Sequence, residues 1–211
     1  MFGIENFLAF LLAGILLNLT PGSDTMYVLG RSISQGRLAG IYSALGIGAG
    51  CLVHIFLAAF GLSVIIKNSQ MLFDLIKYAG AAYLFYLGVK MLINKDKQQF
   101  NITKTDETTD LKKVFLSGAV TNVLNPKVAL FFIAFLPQFV QKDYPHPALS
   151  FFILGLTFNF TGTVWNLILA VFAASMTTRI KENYRIKTGL DRLTGIVFIA
   201  LGIRLALAKN R

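Results

Sequence analysis

Two stretches decide the fold: GILLNLTPGSDT at residues 14–25 and GAVTNVLNPK at residues 118–127. In each, an asparagine follows a glycine at the fourth position, giving Asn18 and Asn122. A proline comes within the next turn, Pro21 and Pro126. Proline has no N–H, so Pro21 deprives the Leu17 carbonyl of its helical donor, and Pro126 does the same to Asn122. In hydrocarbon such a carbonyl is costly unless protein, water or a bound molecule satisfies it. The pattern therefore predicts two membrane helices, each broken at its proline.

The setting is apolar throughout. The chain has 211 residues, 55% hydrophobic and only 14% charged, with a mean hydropathy of +0.63. A soluble domain carries about 25% charged residues, so these charges are too few to coat a soluble surface. A single cysteine, Cys51, excludes a disulfide scaffold. A spanning helix needs about 20 mainly apolar residues. Residues 6–23, 39–66 and 144–178 carry no Asp, Glu, Lys or Arg, and 114–141 carry only Lys127. Two shorter segments have charges at their edges: 70–93 with Asp74, Lys77 and Lys90, and 190–208 with Asp191, Arg192 and Arg204. Long basic stems can carry such charges to the interface. Six spans follow, at roughly 4–31, 39–66, 70–93, 114–140, 147–175 and 190–208. The runs are too long and continuous for barrel strands, which alternate over about ten residues. The leader Met1–Asn6 contains Glu5 and no Lys or Arg, so the first run reads as a span rather than a cleavable signal.

With six spans, the loops on one face hold Arg31, Arg37, Lys95, Lys97, Lys104, Lys112, Lys113, Arg179, Lys181, Arg185 and Lys187. The other face has Lys67, Lys142, Lys209 and Arg211. The positive-inside rule puts the richer face in the cytoplasm and both termini outside. The net charge of +10 then reads as a topology signal beside anionic lipid and calls for no nucleic acid. Residues 94–113 form a polar cytoplasmic connector.

That connector divides two similar halves, 1–93 and 114–211. Lys77-x-x-Gly80 and Leu87-Gly88-x-Lys90 parallel Arg192-x-x-Gly195 and Leu201-Gly202-x-Arg204. Each half has three spans, so the second is inverted. The expected fold is an all-α integral membrane protein of six helices in two inverted three-helix repeats, with helices 1 and 4 broken at Pro21 and Pro126. Inverted repeats with broken helices are a recurrent transporter architecture, with the site at the breaks. Gly22 lets the chain turn, and each new half-helix offers free N–H groups and a positive dipole end. Carbonyls and a carboxylate suit an amino acid's ammonium; N–H groups suit its carboxylate. Kinks used only for packing are the competing reading. Charge at the breaks favours a site: Asp24 follows Pro21 by three residues, and Lys127 follows Pro126 directly. Asp24 can hold an ammonium, carry a proton, or cap the second half-helix. Lys127 can meet a carboxylate, pair with Asp24, or snorkel. With Asn18, Pro21, Gly22, Asn122, Asn125 and Pro126 they form the candidate substrate and proton pathway.

At these residues the chain resembles the LysE/RhtB amino-acid exporters. The resemblance rests on Asn18-Leu-Thr-Pro-Gly-Ser-Asp-Thr25, Val28-Leu-Gly-Arg-Ser32 and Gly36-Arg-Leu-Ala-Gly40. It continues in Lys77-Tyr-Ala-Gly-Ala-Ala-Tyr-Leu84, Asn125-Pro-Lys-Val-Ala-Leu-Phe-Phe132 and Phe135-Leu-Pro-Gln-Phe139. The family usually has Pro-Gly-Pro where this chain has Pro21-Gly22-Ser23. The resemblance implies a bacterial inner-membrane exporter of amino acids or close derivatives, coupled to protons and a homodimer, with no cofactor. Among leucine, threonine, homoserine or its lactone, and the basic amino acids, the neutral ones are favoured. A lysine or arginine side chain needs a second carboxylate at depth, and Asp24 is the one carboxylate well away from a span edge.

His54, mid-span, is expected to bond a neighbouring helix, with proton relay as the sharper alternative. Gly40, Ala44 and Gly48, with Gly46 and Gly50, predict close helix packing within the monomer or across a dimer. Asn159 and Asn166, seven apart on the Trp165 span, are expected to share a face and line the pathway or bind helices together. Rival classes have less support. A thiol–disulfide carrier needs two cysteines. A heavy-metal exporter wants Cys and His clusters, and only Cys51, His54 and His146 are present. No metalloprotease, hydrolase or P-loop spacing marks an enzyme.

Overall fold

The computed structural model describes residues 2–68, 70–93, 110–141 and 144–182, with parts of 192–207. Most of the expected connector and about half of the expected sixth span therefore lie outside the described residues. What is described is helical. Helix α1 (Phe7–Leu19) ends one residue before the pair Thr20-Pro21, and α2 (Ser23–Gln35) starts after Gly22. The two meet at 47°. Gly36, with φ +90°, ends α2 in a conformation that suits glycine. Helix α3 (Arg37–Phe56) runs through a π-helical turn (Leu57–Leu62) into α4 (Ser63–Asn68). Residues Arg37–Ile65 form one apolar span. Helix α5 is Gln70–Ile93.

Helix α6 (Leu111–Val123) takes in the last three residues of the expected connector. Asp110 explains the early start: its Oδ1 accepts the N–H groups of Lys112 and Lys113 at 3.1 and 3.2 Å. The Lys113 amide foremost, with the Lys113 ammonium and the Lys112 amide, holds the Asp110 carboxyl below its ordinary range. Helix α7 (Pro126–Ala134) and a 3₁₀ turn (Leu136–Phe139) follow, at 47° to α6. Both breaks thus fall where the prolines put them, with equal bends. Helix α8 (Pro147–Glu182) contains the second unbroken apolar span, Pro147–Phe172. Among the described residues two helices are long and apolar enough to cross a membrane, and each bent pair adds one candidate span.

Helix α3 is the central post, packed on α6, α8 and α2. Its glycines make this possible. A Cβ on Gly46 would lie 2.1 Å from the Phe115 carbonyl oxygen, and one on Gly50 would lie 2.4 Å from that of Ala119. From α6, a Cβ on Gly118 would lie 2.9 Å from the Ser43 carbonyl oxygen. These glycines serve packing inside one chain.

Among the described residues most buried apolar side chains fall into two clusters. One joins α1, the end of α3, α7 and the start of α8, around Phe10, Phe131, Phe132, Phe135, Phe151 and Phe158. Its rings stack and cross at 4.6 to 6.4 Å between centroids. The other joins α2, the start of α3 and the later part of α8, around Val28, Leu29, Ala44, Ile47, Leu169 and Ala170. The two broken helices pass between them. At the phenylalanine end Glu5 donates to the Phe139 carbonyl and Gln141 to that of Gly3. The first residues and the segment after α7 therefore lie side by side.

Candidate functional site

Each proline leaves a carbonyl without its helical donor, and each carbonyl finds a partner from the other half of the chain. At the first break Lys127 Nζ donates to the Leu17 oxygen at 2.8 Å and to the Thr20 oxygen at 2.9 Å. At the second, His54 Nε2 lies 3.0 Å from the Asn122 oxygen. A carbonyl only accepts, so Nε2 carries the hydrogen there. His54 is buried and bonds a neighbouring helix, as expected from its position. Local donors add to these contacts: the Thr20 N–H reaches Leu17, and the Asn125 N–H reaches Asn122.

Asn122 also ties the breaks together through its side chain. Its Nδ2 donates to Asp24 Oδ2 at 2.8 Å. Asp24 sits in the first turn of α2, where an anion meets the positive helix end. The other oxygens of this pair, Asp24 Oδ1 and Asn122 Oδ1, are buried with no hydrogen-bond partner. Asn125 caps α7, its Oδ1 accepting the Lys127 N–H at 3.0 Å. Asn18 is turned to α8, donating to Thr161 Oγ1 at 3.2 Å and to the Phe158 oxygen at 3.4 Å.

A cavity of about 30 Å³ lies among these groups, lined by Asn18, Gly22, Asp24, Asn125, Lys127 and Asn166, among others. That volume holds about two waters, so the site is closed to anything the size of an amino acid. Asn166 faces it, whereas Asn159 lies against α3 at Gly48, accepting from Thr163 at 3.4 Å. Seven apart on one continuous helix, the two asparagines share a helix face but meet different neighbours along it. Trp165 packs on the smaller cluster. Sequence reasoning missed Thr20, Thr25, Phe158 and Gly162, which also line the cavity. Gly162 had a legible signal, one helical turn before Asn166. It leaves room for Asn18, whose Oδ1 would lie 3.0 Å from a Cβ there. Among the described residues no three His, Cys, Asp or Glu side chains gather where they can hold a metal.

The arrangement offers helix-end carbonyls, a buried carboxylate with an unused oxygen, and an ammonium, all from broken helices. The model of the LysE type translocators matches residues 15–209. An uncharacterized membrane protein of Pseudomonas aeruginosa is 32% identical over 98% of this chain and 97% of its own length. A leucine efflux protein of Salmonella typhimurium is 30% identical over 99% and 98%; that of Salmonella choleraesuis matches equally. No solved structure matches the chain.

Proposed function

The chain belongs to the LysE type translocator family, and from that premise we propose that it is a secondary active exporter of amino acids, driven by protons entering as substrate leaves. It is a multi-pass membrane transporter rather than an enzyme. The single observation that carries the reading is the cavity at the two helix breaks, which Asp24 and Lys127 both line. The favoured substrates are neutral: leucine, threonine, homoserine or its lactone. The relatives named as leucine efflux proteins support that choice, as does the single carboxylate lining the cavity.

Two inverted three-helix halves rock about the breaks, exposing the cavity to one side at a time. Asp24 carries the proton. Its unpartnered oxygen and that of Asn122 are two buried acceptors without a donor, and a protonated carboxyl supplies one. The protein resides in the bacterial inner membrane as a homodimer. Its connector 94–113 lies in the cytoplasm and both termini outside. The pairing of residues 3–5 with 139–141 supports one shared side for the N-terminus and the segment after α7. A reporter fused to the C-terminus should read as external; a cytoplasmic signal overturns this topology.

The function is tested by loading proteoliposomes with a panel of amino acids and imposing a pH gradient. Leucine and other neutral amino acids should leave several-fold faster than lysine or arginine, and divalent metal ions should not leave at all. Preferred efflux of lysine reverses the substrate choice, and metal efflux alone removes the amino-acid reading.

A further inference from the structure

Lys127 holds an ammonium where a substrate's ammonium would fit. Its Nζ donates to the carbonyls of Leu17 and Thr20 at 2.8 and 2.9 Å. These carbonyls form the carboxyl end of α1, the negative end of the helix, and Leu17 is the residue that Pro21 strips of its helical donor. No group chemistry there is special to lysine: any primary ammonium offers the same donors and charge.

We propose that the carboxyl end of α1 is the subsite for the ammonium of the transported molecule, and that Lys127 is its resident stand-in, displaced when that molecule enters. This rests on the exporter reading above and names what that site selects: a free primary ammonium. The cavity holds about two waters, so entry requires something in its lining to move. Lys127 is the lining side chain with the most rotatable bonds and needs no backbone change to swing. Its Cδ and Nζ lie 3.6 Å from where a Gly22 Cβ would stand, filling the turn between α1 and α2. It also has a place to go. Asp24 lines the same cavity, and its Oδ1 is a buried acceptor with no partner. On displacement the carbonyls exchange one ammonium for another, and the lysine moves to a carboxylate. Deaminated and N-acylated analogues lack the charge and are excluded.

The test uses the purified full chain in detergent with three probes: leucine, isopentylamine (no carboxylate) and 4-methylpentanoate (no amine). In Lys127→Met the carbonyls have lost their stand-in. Isopentylamine should then bind at least about tenfold tighter than to the wild type, the scale of one charge-assisted hydrogen bond. Lys127→Arg, which keeps a cation, should not show the gain, and 4-methylpentanoate should gain nothing in either. Equal or weaker amine binding to Lys127→Met overturns the proposal, as does an equal gain for 4-methylpentanoate. Should Lys127→Met fail to fold, the wild type still decides. Solid-state NMR with ¹⁵N-isopentylamine and protein carrying ¹³C-carbonyl leucine and threonine and ¹³Cγ aspartate should place the amine against those carbonyls. Coupling only to a carboxylate carbon overturns the subsite. Amine binding needs no transport, so a tightened amine with no amino-acid flux in liposomes removes the exporter reading and leaves the subsite standing.

Discussion

Asp24→Asn in proteoliposomes is expected to lose its response to an imposed pH gradient while still exchanging substrate. The change keeps the size of the side chain and an oxygen that can accept the Asn122 Nδ2 donor, now at 2.8 Å from Asp24. It removes the one group at the breaks that can take up and release a proton there as a carboxyl. A gradient of one pH unit is worth about 1.4 kcal/mol per proton, or about tenfold in the steady-state ratio of substrate across the membrane. The wild type should approach that ratio for each proton coupled, and the variant should stay near one. A variant that still responds fully to the gradient shows that Asp24 does not carry the proton. Retained exchange separates this outcome from a collapsed site.

Gly46→Val is expected to fail for a different reason. The added Cβ would lie 2.1 Å from the Phe115 carbonyl oxygen, which is backbone in the middle of α6 and cannot step aside. Helices α3 and α6 must separate, and the contact that places His54 beside the second break goes with them. Overpacking of this kind costs about 1–3 kcal/mol or more. For a chain of this size that is about 2–12 °C in melting temperature, and poor recovery of monodisperse protein should accompany it. Gly61→Val is the control, because a Cβ there meets nothing within 4 Å. Equal melting of Gly46→Val and Gly61→Val would show that the α3–α6 contact is looser than described.

The breaks were the most legible part of the sequence, because proline acts locally: Pro21 and Pro126 each remove a donor four residues back whatever surrounds them. The apolar runs were legible for the same kind of reason, and the unbroken spans Arg37–Ile65 and Pro147–Phe172 match two of them. The partners of the stripped carbonyls were not legible. Lys127 reaches Leu17 across 110 positions of sequence and His54 reaches Asn122 across 68, and no local pattern encodes such pairings. Lys127 was expected to face a substrate carboxylate, pair with Asp24 or snorkel; that two helix-end carbonyls accept from its Nζ was not foreseen. Asn159 and Asn166 were expected to share a face and line the pathway; Asn166 lines the cavity, and Asn159 lies further along the same helix against Gly48 of α3. The π-helical turn at Leu57–Leu62 left no signal, since it depends on packing rather than composition.

The two apolar clusters on either side of the breaks are unequal. Among the described residues nineteen buried side chains belong to the phenylalanine end and six to the other. Wetting apolar surface costs about 25 cal/mol per Å², so under the alternating-access proposal the phenylalanine end is the one that resists parting. On that proposal the molecule is a lopsided valve: the end formed by α2 and the later part of α8 yields first, and the demand for driving force falls on the step that parts the phenylalanines.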